Sequence, residues 1–125
     1  QNVVLDFLKE KFSTFDWENE KYIKYDLGRG KGYYVDIFCE SLNLVVEFNG
    51  DYWHCNPSIY SKNFEHHKKK KKAYQIWEED KIKLVNLAKL KHNIIIVWES
   101  ELKSDKWKER LLSKVEKLKA VKNQG

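Results

Sequence analysis

Hydrophobic positions recur along this chain in two rhythms. Over residues 2–12 (NVVLDFLKEKF), Val4, Leu5, Leu8 and Phe12 fall at helical spacing and predict a short amphipathic helix. The run KYIKYD at 21–26 alternates as a strand does, and LGRGKG at 27–32 reads as a glycine-rich turn. YYVDIFC at 33–39 and LVVEFN at 44–49 are apolar on both faces. They predict strands in the middle of a sheet, covered on each side. Only residues 40–43 separate them, so the connection must be a tight hairpin. Residues 50–67 hold the single proline and read as irregular. Residues 68–91 predict one long helix, and IIIVW at 94–98 predicts a buried strand. A strand that follows a helix pairs in parallel with the hairpin. Residues 105–121 predict a closing helix with Trp107, Leu111, Leu112, Val115 and Leu118 on one face. The order is helix, three strands, helix, strand, helix. It predicts an α/β fold with a mixed four-stranded sheet flanked by helices.

Composition narrows the class. A length of 125 residues with 42% hydrophobic content suits one domain with its own core, spanning 1–125. The chain opens on Gln1, which suggests a piece of a longer protein. Seven Tyr and five Trp are a heavy load, and some of their polar tips belong at a groove or surface. No apolar run approaches the roughly 18 residues of a membrane span, and no secretory leader is evident. The two cysteines, Cys39 and Cys55, form no CxxC pair and no disulfide framework. A reducing, cytoplasmic setting is therefore expected.

Charge points to a partner. The net charge is +5, and Lys68, Lys69, Lys70, Lys71 and Lys72 account for all of it. Residues 101–125 add eight basic and four acidic side chains. A concentrated basic run is the footprint of a polyanion, nucleic acid first of all; a solvated loop or helix start is the competing reading.

Asp36 and Glu47 each interrupt an otherwise apolar strand, where a carboxylate is costly unless compensated. If the hairpin turns on Ser41 and Leu42, Asp36 falls opposite Glu47, with Cβ atoms about 4.5–5.5 Å apart on one face. Such a pair suits a divalent cation with oxygen ligands, such as Mg²⁺. A slip of one residue would put one carboxylate on the other face. On the long helix, Ala73, Trp77, Leu84, Leu87 and Ala88 form a stripe that includes Asp80. Asp80 is expected to meet either the active site or a nearby lysine. His54 follows the second hairpin strand in NGDYWHCNP, within reach of a water or phosphate as general base or acid. Gly50 suggests an unusual backbone angle or a close approach. His54, Cys55, His66 and His67 do not match a usual zinc spacing.

These residues carry a resemblance. The run YYVDIFCESLNLVVEFNGDYWHCNP, followed by IWEEDKIKLVNLAKLKHNIIIVWESEL, resembles the catalytic core of very-short-patch-repair-type endonucleases of the PD-(D/E)xK superfamily. It is most similar to phage homing endonucleases that share that core. The likeness spans residues 33–102: an Asp in a strand, E-x-N-G ending the next, Y-W-H, W-x-x-D on a helix, and I-V-W-E. It implies a restriction-endonuclease-like fold and Mg²⁺-dependent hydrolysis of double-stranded DNA, with Mn²⁺ as a substitute metal. Asp36 matches the metal-binding Asp, His54 the His that acts on water or phosphate, and Asp80 the Asp that supports it. Glu47 and Asn49 fill the places of the acidic residue and the lysine of E-x-K. Asn49 lacks the lysine's charge, which shifts the base role to His54. Gln1 falls near the place of a first-helix Glu and would weaken activity. Asp51, Asn56, Ser58 and Ser100 stand where the repair enzymes hold a structural zinc.

Together these readings predict a homing-type endonuclease. Asp36, Glu47 and the Phe48 carbonyl would hold metal. Lys68–Lys72 would contact phosphates, and Tyr52 and Trp53 would pack on sugar or base, with a place in the core the equal alternative for Trp53. Two copies on DNA, or two successive nicks, would be needed to cut both strands. The rival readings are a mismatch-directed nicking repair enzyme and a non-catalytic DNA-binding module on a decayed nuclease fold.

Overall fold

The computed structural model describes residues 2–26 and 28–124. Helix α1 (Asn2–Lys11) leads into strands β1 (Trp17–Asp26), β2 (Lys31–Cys39) and β3 (Leu44–Asn49). A short hairpin, β4 (Glu65–His66) and β5 (Lys71–Lys72), precedes helix α2 (Ala73–Lys89). Strand β6 (Asn93–Trp98), a 3₁₀ turn (Glu99–Lys103) and helix α3 (Lys106–Gln124) complete the chain. The main sheet has the order β1-β2-β3-β6. Its first two pairings are antiparallel, and β3 pairs with β6 in parallel. The fold is therefore α/β with a mixed four-stranded sheet. Among the described residues, no helix is long and apolar enough to cross a membrane.

Helices sit on both faces. Val4, Leu5 and Leu8 of α1 and Trp107, Leu111 and Val115 of α3 pack with Ile37, Leu44 and Val46 against one face. Phe7 meets Trp107 edge-on at 5.3 Å between ring centroids. Leu87 of α2 packs with Ile23, Val35, Phe38 and Val45 on the other face. Trp17 and Ile23 are six residues apart yet serve opposite faces, as do Val35 and Ile37. Plain alternation would put each pair on one face. The strands turn over where Glu20 adopts a left-handed φ of 53°.

The hairpin between β2 and β3 has the expected register, with Cys39 opposite Leu44 and Ile37 opposite Val46. Its turn closes through an Asn43 N–H to Glu40 carbonyl bond of 3.0 Å. Asn43 takes φ 51°, which asparagine tolerates better than most residues. Its Nδ2 donates to the Lys91 carbonyl at 2.6 Å, tying the hairpin to the α2–β6 connection.

Three expectations need correction. The helix predicted over 68–91 begins only at Ala73. The lysine run lies instead in the β4–β5 hairpin, with Lys70 at φ 54°. Adjacent like charges gain nothing from a helix. The helix start is instead built by the Lys72 N–H donating to Gln75 Oε1 at 2.9 Å and Ala73 N–H to the Phe64 carbonyl at 2.8 Å. The buried face of α2 is Ala73, Ile76 and Leu87, while Ala88 is exposed. Strand β6 is an edge strand, so only Val97 of it is fully buried.

The loop before α2 holds a titration-sensitive group. His66 is buried, with its ring stacked on Tyr52 at 4.0 Å between centroids. Its Nδ1 accepts the Lys69 N–H at 3.0 Å, and its Nε2 has no hydrogen-bond partner among the described residues. Burial, with Lys69 and His67 nearby, pushes its pKa below the ordinary 6.5. Burial does the same to His92. Below pH 6.5 the unfolded chain therefore binds protons that the folded chain resists, so stability falls as pH falls. The melting temperature should drop from about pH 7 to about pH 5, and His66→Phe should flatten that slope. An unchanged slope in the variant would remove His66 from the acid response.

Candidate active site

The site begins where the β2–β3 ladder opens. The last paired residues are Ile37 and Val46, and beyond them the side chains of Asp36 and Glu47 take over the contact between the strands. Their side chains reach across to the facing backbone. The Asp36 N–H donates to Glu47 Oε1 at 2.9 Å, and the Phe48 N–H donates to Asp36 Oδ2 at 2.8 Å. Each carboxylate is thereby held in place by the other's strand, although the two charges repel. Glu47 is buried at 7% exposure, and Asp36 is half-buried. Burial raises the Glu47 pKa, with Lys83 opposing the shift and Asp36 adding to it.

Lys83 is the residue that sequence reasoning missed. Its Nζ lies 2.8 Å from Glu47 Oε2 and donates to the Tyr34 carbonyl at 3.0 Å. It stands one turn beyond Asp80, and Asp80 one turn beyond Trp77. Residues three apart on a helix share a face. Along that face Trp77 Nε1 donates to the Cys55 carbonyl at 2.6 Å, Asp80 meets His54, and Lys83 meets Glu47. The available signal was this i, i+3 spacing from Asp80. It went unread because a lysine on a helix flank usually faces solvent.

His54 Nδ1 lies 2.9 Å from Asp80 Oδ2, with both side chains about one-third exposed. Asp80 therefore meets the histidine and not a lysine. The loop that carries His54 is wound tightly, with the His54 N–H on the Gly50 carbonyl at 3.1 Å and the Asn56 N–H on the Asp51 carbonyl at 2.8 Å. Gly50 has no left-handed φ, so the unusual backbone angle expected of it is absent, and a Cβ there would make only ordinary contact at 3.6 Å within the chain. The crowded glycine is Gly32, where a Cβ would fall 2.4 Å from the Ile23 carbonyl oxygen.

Glu47, Asn49, His54, Asp80 and Lys83 together line a cleft of about 30 Å³. That is room for a water molecule. Asn49 is buried at the end of β3. Among the described residues no group of three His, Cys, Asp or Glu side chains is gathered as a ready metal cage. Gln1 lies outside the described residues.

Asp51, Asn56, Ser58 and Ser100 also converge. Asn56 Nδ2 donates to Asp51 Oδ1 at 2.9 Å, Ser100 Oγ to Asp51 Oδ1 at 3.3 Å, and Ser58 Oγ to Asn56 Oδ1 at 2.9 Å. The Asp51 N–H reaches Glu99 Oε1 at 3.0 Å. This network ties the His54 loop to the end of β6.

The lysine run borders a separate basic cavity of about 400 Å³, lined by Lys70, Lys71, Lys72, His66 and His67. Lys68 and Lys70 are exposed, and Lys69, Lys71 and Lys72 are half-exposed. Lys71 pairs with Glu79. Trp53 is 51% exposed, which excludes a core role, and Tyr52 packs between Trp53 and His66. Both cysteines are buried free thiols, and burial pushes the Cys39 thiol up to about 11. Compared with known proteins, the chain matches no family model, no curated protein and no solved structure.

Proposed function

We propose that this chain is the catalytic domain of a metal-dependent DNA endonuclease of the homing type, built on a restriction-endonuclease-like core. The observation that carries this reading is the His54–Asp80 contact of 2.9 Å, at the same small cleft as Glu47, which is hydrogen-bonded to the Asp36 backbone. A histidine oriented by a carboxylate, next to two acidic oxygen donors, is equipment for activating water at a phosphate.

The donor set fits Mg²⁺ or Mn²⁺. Glu47 already has the Lys83 ammonium as a cationic partner. Asp36 uses only Oδ2 in the hydrogen bonds of the described residues. Mg²⁺ often takes one or two carboxylates and completes its shell with water and phosphate. Asp36, Glu47 and the Phe48 carbonyl would hold it, and when bound it would supply Lewis acidity at the scissile phosphate. With Nδ1–H directed to Asp80, His54 presents the Nε2 lone pair as proton acceptor. The water oxygen forms the new bond to phosphorus, its proton passes to Nε2, and the bond to the leaving sugar oxygen breaks. Asp80 stabilises the imidazolium so formed. Lys83 supplies the positive charge that Asn49 cannot. Lys68–Lys72 contact backbone phosphates and contribute affinity without reading sequence.

The hydrogen-bonded cluster of Asp51, Asn56, Ser58 and Ser100 favours the homing branch over the mismatch-repair branch. Four positions scattered from 51 to 100 meet as a zinc site's ligands would, yet they join directly to one another. The reading places the protein on double-stranded DNA in the cytoplasm, with two copies meeting on DNA if both strands are cut together. Plasmid nicking with Mg²⁺, with Mn²⁺ and with chelator tests it. Relaxed circles should appear only with metal, and DNA binding without cleavage in either metal would leave the non-catalytic binding module.

A further inference from the structure

The outer half of the β1–β2 arm carries an aromatic platform that the core does not use. Tyr22 and Tyr34 are opposed across the two strands, with ring centroids 4.9 Å apart. They are 38% and 69% exposed. Their neighbours along the strands, Tyr25 and Tyr33, stack together, and Tyr33 faces α2 through Asn86 and Lys83. Side chains alternate along a strand, so Tyr22 and Tyr34 occupy the face that α2 does not cover.

This platform is built, not incidental. Gly32 lies beside Tyr34 on β2, and a Cβ there would fall 2.8 Å from the Tyr22 ring carbon Cζ. The bare glycine lets the Tyr22 ring lie down over the strand. The Tyr22 hydroxyl then donates to the Gly30 carbonyl at 3.2 Å, at the tip of the arm. A Cβ at position 32 would press on the Ile23 carbonyl oxygen, 2.4 Å away, as well as on the ring.

Charge and position say what covers it. The arm carries Lys21, Lys24, Arg29 and Lys31 against Asp26 over residues 21–34. Arg29 pairs with Asp26, and Lys21 with Glu18, but Lys24 and Lys31 have no ion pair among the described residues. Lys24 is opposite Gly32 on the same pair of strands. Tyr34 is two residues from Asp36, and its carbonyl is held by the Lys83 that binds Glu47. An exposed tyrosine ring, braced at 56° by a second ring and with an unpaired lysine on the same face, is suited to a π-faced polyanion.

We infer that the Tyr34 ring, supported by Tyr22, stacks on a nucleobase of the bound DNA strand, with Lys24 on the adjoining phosphate. The inference takes its partner from the nuclease reading but is tested by binding, not by cleavage. The Tyr34 ring is mostly exposed, so its replacement leaves the core untouched.

The experiment measures anisotropy of a fluorescein-labelled duplex with wild type and with Tyr34→Phe, Tyr34→Leu and Tyr34→Ala, with Ca²⁺ in place of Mg²⁺. Tyr34→Phe should bind as wild type does. Tyr34→Leu and Tyr34→Ala should each bind about tenfold more weakly, because stacking needs the ring and not only apolar area. Melting temperatures should be equal across the series. Equal binding by all four proteins, or wild-type binding by Tyr34→Leu, would overturn the platform. Absence of duplex binding by the wild type would overturn it as well. The nuclease reading stands or falls separately: it fails if the wild type never nicks plasmid, even where the ring dependence of binding is found.

Discussion

Asp36→Asn should abolish metal-dependent nicking, lowering the rate about a thousandfold or more, while leaving DNA binding and melting temperature close to wild type. The asparagine keeps a side-chain oxygen where Asp36 Oδ2 now accepts the Phe48 N–H at 2.8 Å, so the opened end of the β2–β3 ladder stays in place. What is lost is the negative charge that, with Glu47, would hold the metal. Removing it also relieves Glu47, whose pKa Asp36 helps to raise. Circular dichroism and anisotropy check the fold and the binding, and plasmid relaxation checks the chemistry. Residual nicking within tenfold of wild type would show that Asp36 is not a metal ligand, and the nuclease assignment would lose its centre.

Lys83→Met should destabilise the fold by about 2–3 kcal/mol near neutral pH, because it strands Glu47 as an unpaired buried charge beside Asp36. Glu47 is 9% exposed as a side chain and Lys83 25%, so solvent cannot replace the ammonium well. The sign of the pH dependence follows. Burial already raises Glu47 above its ordinary 4.5, and losing Lys83 raises it further. A carboxyl with a raised folded pKa keeps its stabilising contribution below the unfolded value and loses it as pH rises through the folded one. The variant should therefore lie close to wild type near pH 4 and fall progressively behind as pH rises. Urea melts at several pH values read this directly. A deficit equal at all pH values would mean that Lys83 acts through packing, not through charge. Because Lys83 also holds the Tyr34 carbonyl, the variant should bind DNA less tightly as well as melt earlier.

Much of the frame was legible in the chain. Alternation and apolar runs identify the four strands of the sheet, because strand periodicity is a local property. The hairpin register followed from the short spacing between Cys39 and Leu44, which brings Asp36 and Glu47 within hydrogen-bond reach of each other's strand. The W-x-x-D spacing was readable because two residues three apart on a helix must share a face. Trp77 and Asp80 do so, and each holds a neighbouring residue of the same loop, Cys55 and His54.

Other features were settled only by contacts between distant segments. The lysine run looked helical because lysine is a fair helix former, yet the Phe64 and Lys62 carbonyls, from the preceding loop, fix the helix start at Ala73. Strand β6 looked buried because IIIVW is wholly apolar, and only its edge position exposes it. Nothing local relates Lys83 to Glu47, which only the sheet brings to it. Gly32 read as part of a turn, and in the sheet it admits the close approach of the Ile23 backbone as well as the Tyr22 ring. Local periodicity thus located the main strands and helices and the register of the β2–β3 hairpin. Tertiary packing decided which charge meets which, since ion pairs and close approaches join residues dozens of positions apart that no local pattern relates.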